Sequence, residues 1–276
     1  MLKTEYKKLE NYTFGLIIKN FSKKKKYEEE DIEIINNLLV ENKLLVIKDI
    51  ILDNKEFMNF AQQLGELEIT HPVQYQVPGY PYIRIQSNTL KIGLDYVGQY
   101  WHSDGSWQKV PTKATLLLNL ESPEKGGETL FIDMCAVYED LPKELKTTIE
   151  KLKGFYPSRE IYLREMKELG LEISEEQNSH LTNTIHPIVK SHPITGRKSL
   201  YISENLLEKI LEVPEDESKE LLDFLYKFST EEFRIYKHKW EKGDLLIWDN
   251  STIIHKGIRP DPNYPKTTKR ITVKEK

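Results

Sequence analysis

Two histidines and one carboxylate are the side chains of this sequence best suited to chemistry. His102 and Asp104 stand two apart in Tyr100-Trp101-His102-Ser103-Asp104-Gly105-Ser106-Trp107, and on an extended backbone such positions project to the same side. An imidazole and a carboxylate so placed can share one ion. The pair alone is weak evidence, because an isolated histidine more often serves as a hydrogen-bonded structural residue. His255 is the candidate third ligand, at the end of Trp248-Asp249-Asn250-Ser251-Thr252-Ile253-Ile254-His255, where an apolar run enters a polar turn and returns. Two imidazoles and a carboxylate cover one face of an ion and leave the rest open, which suits non-heme Fe(II). A structural zinc site would want four protein ligands, usually with cysteines, and the chain has only Cys135. Fe(II) in this set keeps one formal positive charge, which a bidentate 2-oxo acid complements. The acid's remote carboxylate then needs a cation further in. Arg270, in Lys269-Arg270-Ile271-Thr272-Val273-Lys274, is the candidate, since a planar guanidinium grips a carboxylate through two parallel hydrogen bonds. Its plainer reading is a surface strand arginine.

Elements must bring these residues together from distant parts of the chain. Helical spacing is clearest early: Ile32, Ile35, Leu38 and Leu39 form one stripe, and Phe57, Phe60, Ala61 and Leu64 another, with Asp53 and Glu56 as a capping box. Residues 44–50 between them read as a buried strand. Short apolar or β-branched runs at 82–86, 114–120, 129–132, 199–202, 233–240, 245–248 and 270–273 read as strands. Helices are expected at 143–153 and 215–228, the second after Pro214. Lys23 to Lys26 followed by Glu28 to Asp31 reads as a solvated turn entering a helix. The pattern predicts a mainly β chain with flanking helices, a sandwich or barrel rather than a doubly wound sheet.

Composition bounds the rest. With 276 residues, 38% hydrophobic and 30% charged, the chain can bury a large core, and without an evident linker a single domain over residues 1–276 is expected. A net charge of −4 argues against nucleic acid as a partner. No apolar run approaches the roughly 18 residues of a membrane span, and the lone cysteine suits a cytoplasmic protein.

Several segments resemble the taurine dioxygenase and phenoxyacetate dioxygenase family of Fe(II)/2-oxoglutarate enzymes. They are Trp101 to Asp104, Pro111 to Leu120, Gly126-Gly127-Glu128-Thr129-Leu130, His186-Pro187-Ile188-Val189, His192 to Arg197, Gly243-Asp244 and Trp248 to His255. The resemblance implies a double-stranded β-helix, a cupin-like jelly roll with helices outside. It implies Fe(II) held by His102, Asp104 and His255, and 2-oxoglutarate and O2 as cosubstrates. The family's cosubstrate-binding threonine falls on Thr129, and its arginine is aligned with Arg270, with Lys274 as a second basic residue four further along. The other register puts Lys266 and Arg270 in those roles. Gly98 stands where taurine enzymes carry an asparagine, so taurine itself is not the expected substrate.

By the same resemblance His71 lines the substrate pocket and Lys274 pairs with a substrate anion, although a turn histidine and an exposed terminal lysine are the plainer readings. His186 and His192 fall on scaffold positions. Trp101, Trp107 and Trp248 flank the proposed ligands, where they would exclude water or simply fill the core. The expected activity is oxidation, hydroxylation by default, of an unactivated C–H bond in a small anionic or amino-acid-derived molecule, with release of succinate and CO2. Desaturating or isonitrile-forming oxidation, a non-catalytic cupin-like binding protein, and a zinc-dependent hydrolase with the same ligands are the other readings. The loops at 75–81 and 156–183 do not disclose the substrate, and a homo-oligomer stays open.

Overall fold

In the computed structural model, which describes residues 4–24, 26–90, 93–94, 98–171 and 182–275, the central sheet is apolar on both faces. Its strands run in the order Glu5–Lys8, Leu16–Lys19, Leu44–Ile47, Leu245–Asp249, Ala114–Glu121, Thr267–Lys274, Tyr80–Ser87 and Gln76–Val77, with Glu66–Leu67 also paired to Thr267–Lys274. Neighbours are antiparallel except Leu16–Lys19 and Leu44–Ile47. Alternation along each strand decides what goes where. Leu45, Ile47, Leu116, Leu118, Leu245, Ile247 and Ile271 pack under the helices Glu29–Asn42 and Asn54–Leu64. Their neighbours Leu44, Val46, Leu117, Leu246 and Trp248 turn the other way and meet Phe131 and Ile253.

Phe131 and Ile253 belong to a smaller sheet, ordered Tyr236–His238, Thr129–Asp133 and Ile253–Gly257. The two sheets therefore face each other across an apolar layer, the jelly-roll arrangement expected. The outer side of the small sheet is buried as well. Leu130, Ile132 and Ile254 pack with Trp101, Ile161, Leu222 and Leu225 in a further core built on the helices Ser158–Glu168 and Glu215–Ser229. Burial on both faces explains why the central strands read as continuous apolar runs.

The helix caps follow the sequence. Asp53 and Glu56 form their capping box, and Glu29, Glu30 and Asp31 occupy the first turn of their helix, where Lys24 lies 2.5 Å from Asp31. Two expectations need correction. The helix begun at Lys143 ends at Ile149, because the N–H groups of Lys151 and Leu152 turn to the carbonyls of Thr148 and Ile149; Lys153–Tyr156 then pairs with Thr184–Pro187 as a strand. Residues 233–240 are not one strand. A turn at Glu232–Arg234 leaves Phe233 exposed and tucks Arg234 inward, over the Phe228 and Phe233 rings at 4.8 and 4.6 Å. The short helix Met134–Asp140, capped by Asp133 through the Cys135 and Ala136 N–H groups, had no expectation. Cys135 is buried, as expected of a small packing residue.

Among the described residues no helix is long and apolar enough to cross a membrane. Ile247, fully enclosed in the central strand Leu245–Asp249, offers a test of the packing: Ile247→Ala is expected to cost about 2–5 kcal/mol, read as a lower midpoint at unchanged slope in denaturant titration.

Candidate functional site

The inward-facing alternation of the small sheet turns His255 toward its cross-strand partner Phe131, into the space between the sheets. His102 is tied to it by an isolated antiparallel bridge, with His102 N–H to His255 O at 3.1 Å and His255 N–H to His102 O at 2.8 Å. This backbone clasp holds the two imidazoles 4.3 Å apart, centre to centre. Asp104 completes the group. Its Oδ1 is 3.7 Å from His102 Nε2, and its Oδ2 is 3.6 Å from His255 Nε2. One donor atom from each of the three lies within 4.8 Å of the others, and all three residues are buried.

Each ligand is oriented from behind. His102 Nδ1 is 2.8 Å from the Tyr100 carbonyl, so that nitrogen carries the proton and Nε2 presents a free lone pair. The His255 ring is set by packing, with Trp248 at 4.7 Å and Phe131 at 6.2 Å. Asp104 Oδ2 accepts from the Thr115 hydroxyl at 2.6 Å, and Oδ1 from Arg270 Nη2 at 2.8 Å. Asn250 accepts from the Asp104 N–H at 3.1 Å and donates to Thr115 at 2.9 Å, which ties the turn after Leu245–Asp249 to the His102–Asp104 segment.

Electrostatics agree with that geometry. Burial alone would raise the Asp104 carboxyl, but Arg270 and the two imidazoles hold it well below the usual carboxylate range. Burial, then His102, pushes His255 down to about 3 despite the attraction of Asp104. His255 is thus a neutral donor, as a metal ligand must be. Two neutral nitrogens, one carboxylate and an open side are the donor set of a ferrous facial site, and the residues present fit it. Gly98 stands close by at φ 68°, where a Cβ would come 2.6 Å from His102 Cε1. Any side chain there would push the ligand ring.

The triad opens into a cavity of about 900 Å³. His71, Thr129, Lys266, Arg270, Trp107 and Trp248 line it, with Arg84, Tyr100 and Glu165, which had drawn no attention in the sequence. Arg270 is expected beside Thr129; of the two candidate cations Lys266 and Arg270, it is Lys266 that the structure holds near Thr129. Its Nζ donates to the Gly127 carbonyl at 2.5 Å and lies 5.5 Å from the Trp240 ring, whose Nε1 donates to the Thr129 hydroxyl at 3.1 Å. Gly127, at φ 75°, lets the lysine stem pass: a Cβ there would meet Lys266 Cδ at 3.1 Å. Arg270 instead lies against Asp104.

Lys274 continues the alternation of Thr268, Arg270 and Thr272 but ends 3.3 Å from Glu68 and is absent from the cavity wall. His186 and His192 are spent on structure, with Nε2 at 2.9 Å from the Gln108 carbonyl and from Asp249, respectively. Trp101 packs in the outer core. Of the loop expected at 156–183, residues 158–168 are a helix that presents Tyr162, Glu165 and Met166 to the cavity, while 172–181 lie outside the described residues. Tyr100 donates to Glu165 at 3.0 Å, and burial raises its phenol far above the ordinary range.

The missed residues had a signal. In Ile83-Arg84-Ile85-Gln86 the polar partners of a period-2 strand read as solvent-facing, yet here the isoleucines face the helix-covered core. Arg84 and Gln86 therefore turn into the barrel.

The taurine catabolism dioxygenase TauD, TfdA family matches residues 5–272. Pentalenolactone F synthase of Streptomyces arenae is 31% identical over 79% of this chain and 77% of its own length. The alpha-ketoglutarate-dependent 2,4-dichlorophenoxyacetate dioxygenase of Burkholderia sp. (strain RASC) is 28% identical over 88% and 85%. Among solved structures, AAD-2 in complex with Mn(II) and N-oxalylglycine superposes with a TM-score of 0.81 at 27% identity, covering 99% of this chain and 98% of that one.

Removing the hydroxyl behind Asp104 by Thr115→Val is expected to weaken Mn(II) binding about 10–100-fold with the fold intact. Calorimetric titration with circular dichroism reads both.

Proposed function

The chain belongs to the taurine catabolism dioxygenase TauD, TfdA family, whose members are Fe(II)- and 2-oxoglutarate-dependent dioxygenases, and from that premise we propose an assignment of its site. His102, Asp104 and His255 hold the iron. Thr129 and Lys266 receive the remote carboxylate of 2-oxoglutarate, and His71, Trp107 and the Ser158–Glu168 helix wall the substrate pocket. The observation that carries the reading is the convergence of three buried donors from separate segments, all within 4.8 Å of one another, at the wall of a cavity of about 900 Å³.

When bound, iron supplies the redox chemistry by which substrate C–H, O2 and 2-oxoglutarate become alcohol, succinate and CO2. The protein supplies position and charge. His102 lies on the backbone bridge to His255, and Asp104 opens the turn two residues later, so the ligand face is set before anything binds. Thr115 and Arg270 keep Asp104 ionised. Trp107 and Trp248 limit water at the reacting end.

Lys266 is favoured over Arg270 as the cosubstrate's cation because it lines the cavity with Thr129, is held at the Gly127 carbonyl, and has no carboxylate within ion-pair distance among the described residues, whereas Arg270 engages Asp104. Its ammonium is pushed down to about 8 by burial, with Glu128 acting the other way. It is therefore charged at neutral pH and loses its charge as pH rises through about 8.

The substrate is a small molecule with an anionic group, in keeping with the 2,4-dichlorophenoxyacetate acted on by one relative. Similarity to pentalenolactone F synthase favours, as a second reading, an oxidation in specialised metabolism. A reducing, cytoplasmic setting suits ferrous iron and a lone buried thiol, and a net charge of −4 makes nucleic acid a poor partner.

Anaerobic addition of Fe(II) and 2-oxoglutarate is expected to give a weak visible charge-transfer band, and exposure to O2 to release succinate; a protein giving neither would favour a binding role. Lys266→Met is expected to raise the dissociation constant for 2-oxoglutarate at least about tenfold, with Lys266→Arg retaining most of the affinity. In the unsubstituted protein 2-oxoglutarate binding is expected to weaken progressively above pH 8, read by calorimetry across pH 6.5 to about 9.5.

A further inference from the structure

We propose that Glu165 seats a protonated amine of the substrate, so that the molecule oxidised is a zwitterion rather than a simple anion. The inference deepens the dioxygenase reading and rests on it.

Glu165 belongs to the helix Ser158–Glu168, on which Ser158, Ile161 and Met166 are buried and Tyr162 and Glu165 half-buried. The inward stripe of a packed helix ordinarily carries apolar side chains, and a carboxylate drawn into it is costly unless something compensates its charge. Ile161 packs into the outer core, whereas Tyr162, Glu165 and Met166 reach the cavity wall. Tyr100 satisfies one oxygen of Glu165, its hydroxyl donating to Oε1 at 3.0 Å. A neutral phenol leaves the charge in place, and Oε2 has no hydrogen-bond or ion-pair partner among the described residues.

The other carboxylates of the wall are engaged or solvated. Asp104 is a proposed metal ligand, Glu68 accepts from Thr112 at 2.7 Å and lies 3.3 Å from Lys274, and Glu168 is exposed at the helix end. Nor does the protein hold a cation against Glu165. The charge of Glu165 is felt at Arg84, but that guanidinium is turned to the His71 carbonyl, 3.4 Å from Nη1, and forms no ion pair among the described residues. Arg164, the preceding residue, donates to the Asn205 carbonyl.

An ammonium group brings what is missing: a positive charge and N–H donors for Oε2. A compact point charge with three donors suits one free carboxylate oxygen. The planar fork of a guanidinium asks for two parallel acceptors, and here Oε1 is already taken. Tyr100 also fixes where the amine lies. Its ring stands 4.9 Å from the His102 ring, so the phenol that holds Glu165 packs against a proposed metal ligand. The amine is then one aromatic ring away from the triad.

Calorimetry on protein loaded anaerobically with Fe(II) and 2-oxoglutarate tests the seat. The probes are β-alanine, 4-aminobutyrate and 6-aminohexanoate, each compared with the acid of equal length that lacks the amine: propionate, butyrate and hexanoate. At neutral pH the wild type is expected to bind at least one amino acid at least about tenfold more tightly than its plain counterpart. Glu165→Gln keeps an acceptor for Tyr100 and removes only the charge. It is expected to abolish that preference while the plain acids bind no worse and the visible band and 2-oxoglutarate affinity stay. Glu165→Asp is expected to keep part of the preference, and Glu165→Ala serves as a second neutral variant should Glu165→Gln precipitate.

The proposal is overturned if the loaded wild type prefers none of the amines, or if the neutral variants retain the preference. It is also overturned if they lose the visible band or 2-oxoglutarate affinity, which would make Glu165 a support for His102 through Tyr100 instead. A wild type that forms no visible band strikes at the dioxygenase reading beneath the proposal, and the same titrations of the unloaded protein and its Glu165 variants then still decide the seat.

Discussion

A carboxylate buried between two imidazoles and a guanidinium is the constraint on which the rest of this molecule turns. Asp104 carries its charge inside the barrel, where an uncompensated anion would be costly. Arg270, Thr115 and the paired histidines make ionisation favourable, and each of them is delivered by a different part of the chain. The histidine pair depends on the backbone bridge between His102 and His255; Arg270 and Thr115 sit opposite Leu117 and Thr272 in a shared ladder. Sheet register places His255, Thr115 and Arg270, and the backbone bridge to His255 with the Asn250 hydrogen bond fixes the segment that carries His102 and Asp104.

The same register explains what could be read from the sequence. The His102, Asp104 and His255 set was legible because its residue types are rare together and their spacing is extended. The central strands were legible because Leu44–Ile47 and Leu245–Asp249 are sandwiched between helices on one side and the smaller sheet on the other, which leaves long apolar runs. Inside-out strands were harder. In Tyr80–Ser87 the apolar residues pack outward beneath a helix and the polar ones line the cavity, so an ordinary amphipathic pattern hid Arg84. The two candidate registers around Lys266 and Arg270 could not be separated by spacing alone. In the structure Gly127 leaves room for the Lys266 stem, and Asp104 engages Arg270, which is the ground for the register proposed above.

Charged groups of both signs line the cavity. Neutral His255 and ionised Asp104 make a donor face. Lys266 lies toward the Thr129 strand, and Arg270 and Arg84 line the other part of the wall. A dication and a dicarboxylate would each find opposite charge, and Tyr100, Trp107, Tyr162 and Trp248 are among the lining residues. This division of labour requires no moving part, although the helix Ser158–Glu168 contributes Glu165 and Met166 to the wall and joins the site to the outer core through Ile161.

The central claim is that His102, Asp104 and His255 bind one metal ion together. Anomalous diffraction from crystals grown with Mn(II) tests it most directly. The account requires a single strong peak at bonding distance, about 2.0–2.2 Å, from both histidine Nε2 atoms and one Asp104 oxygen. A peak elsewhere, or the three side chains turned apart with no ion between them at saturating Mn(II), would contradict it.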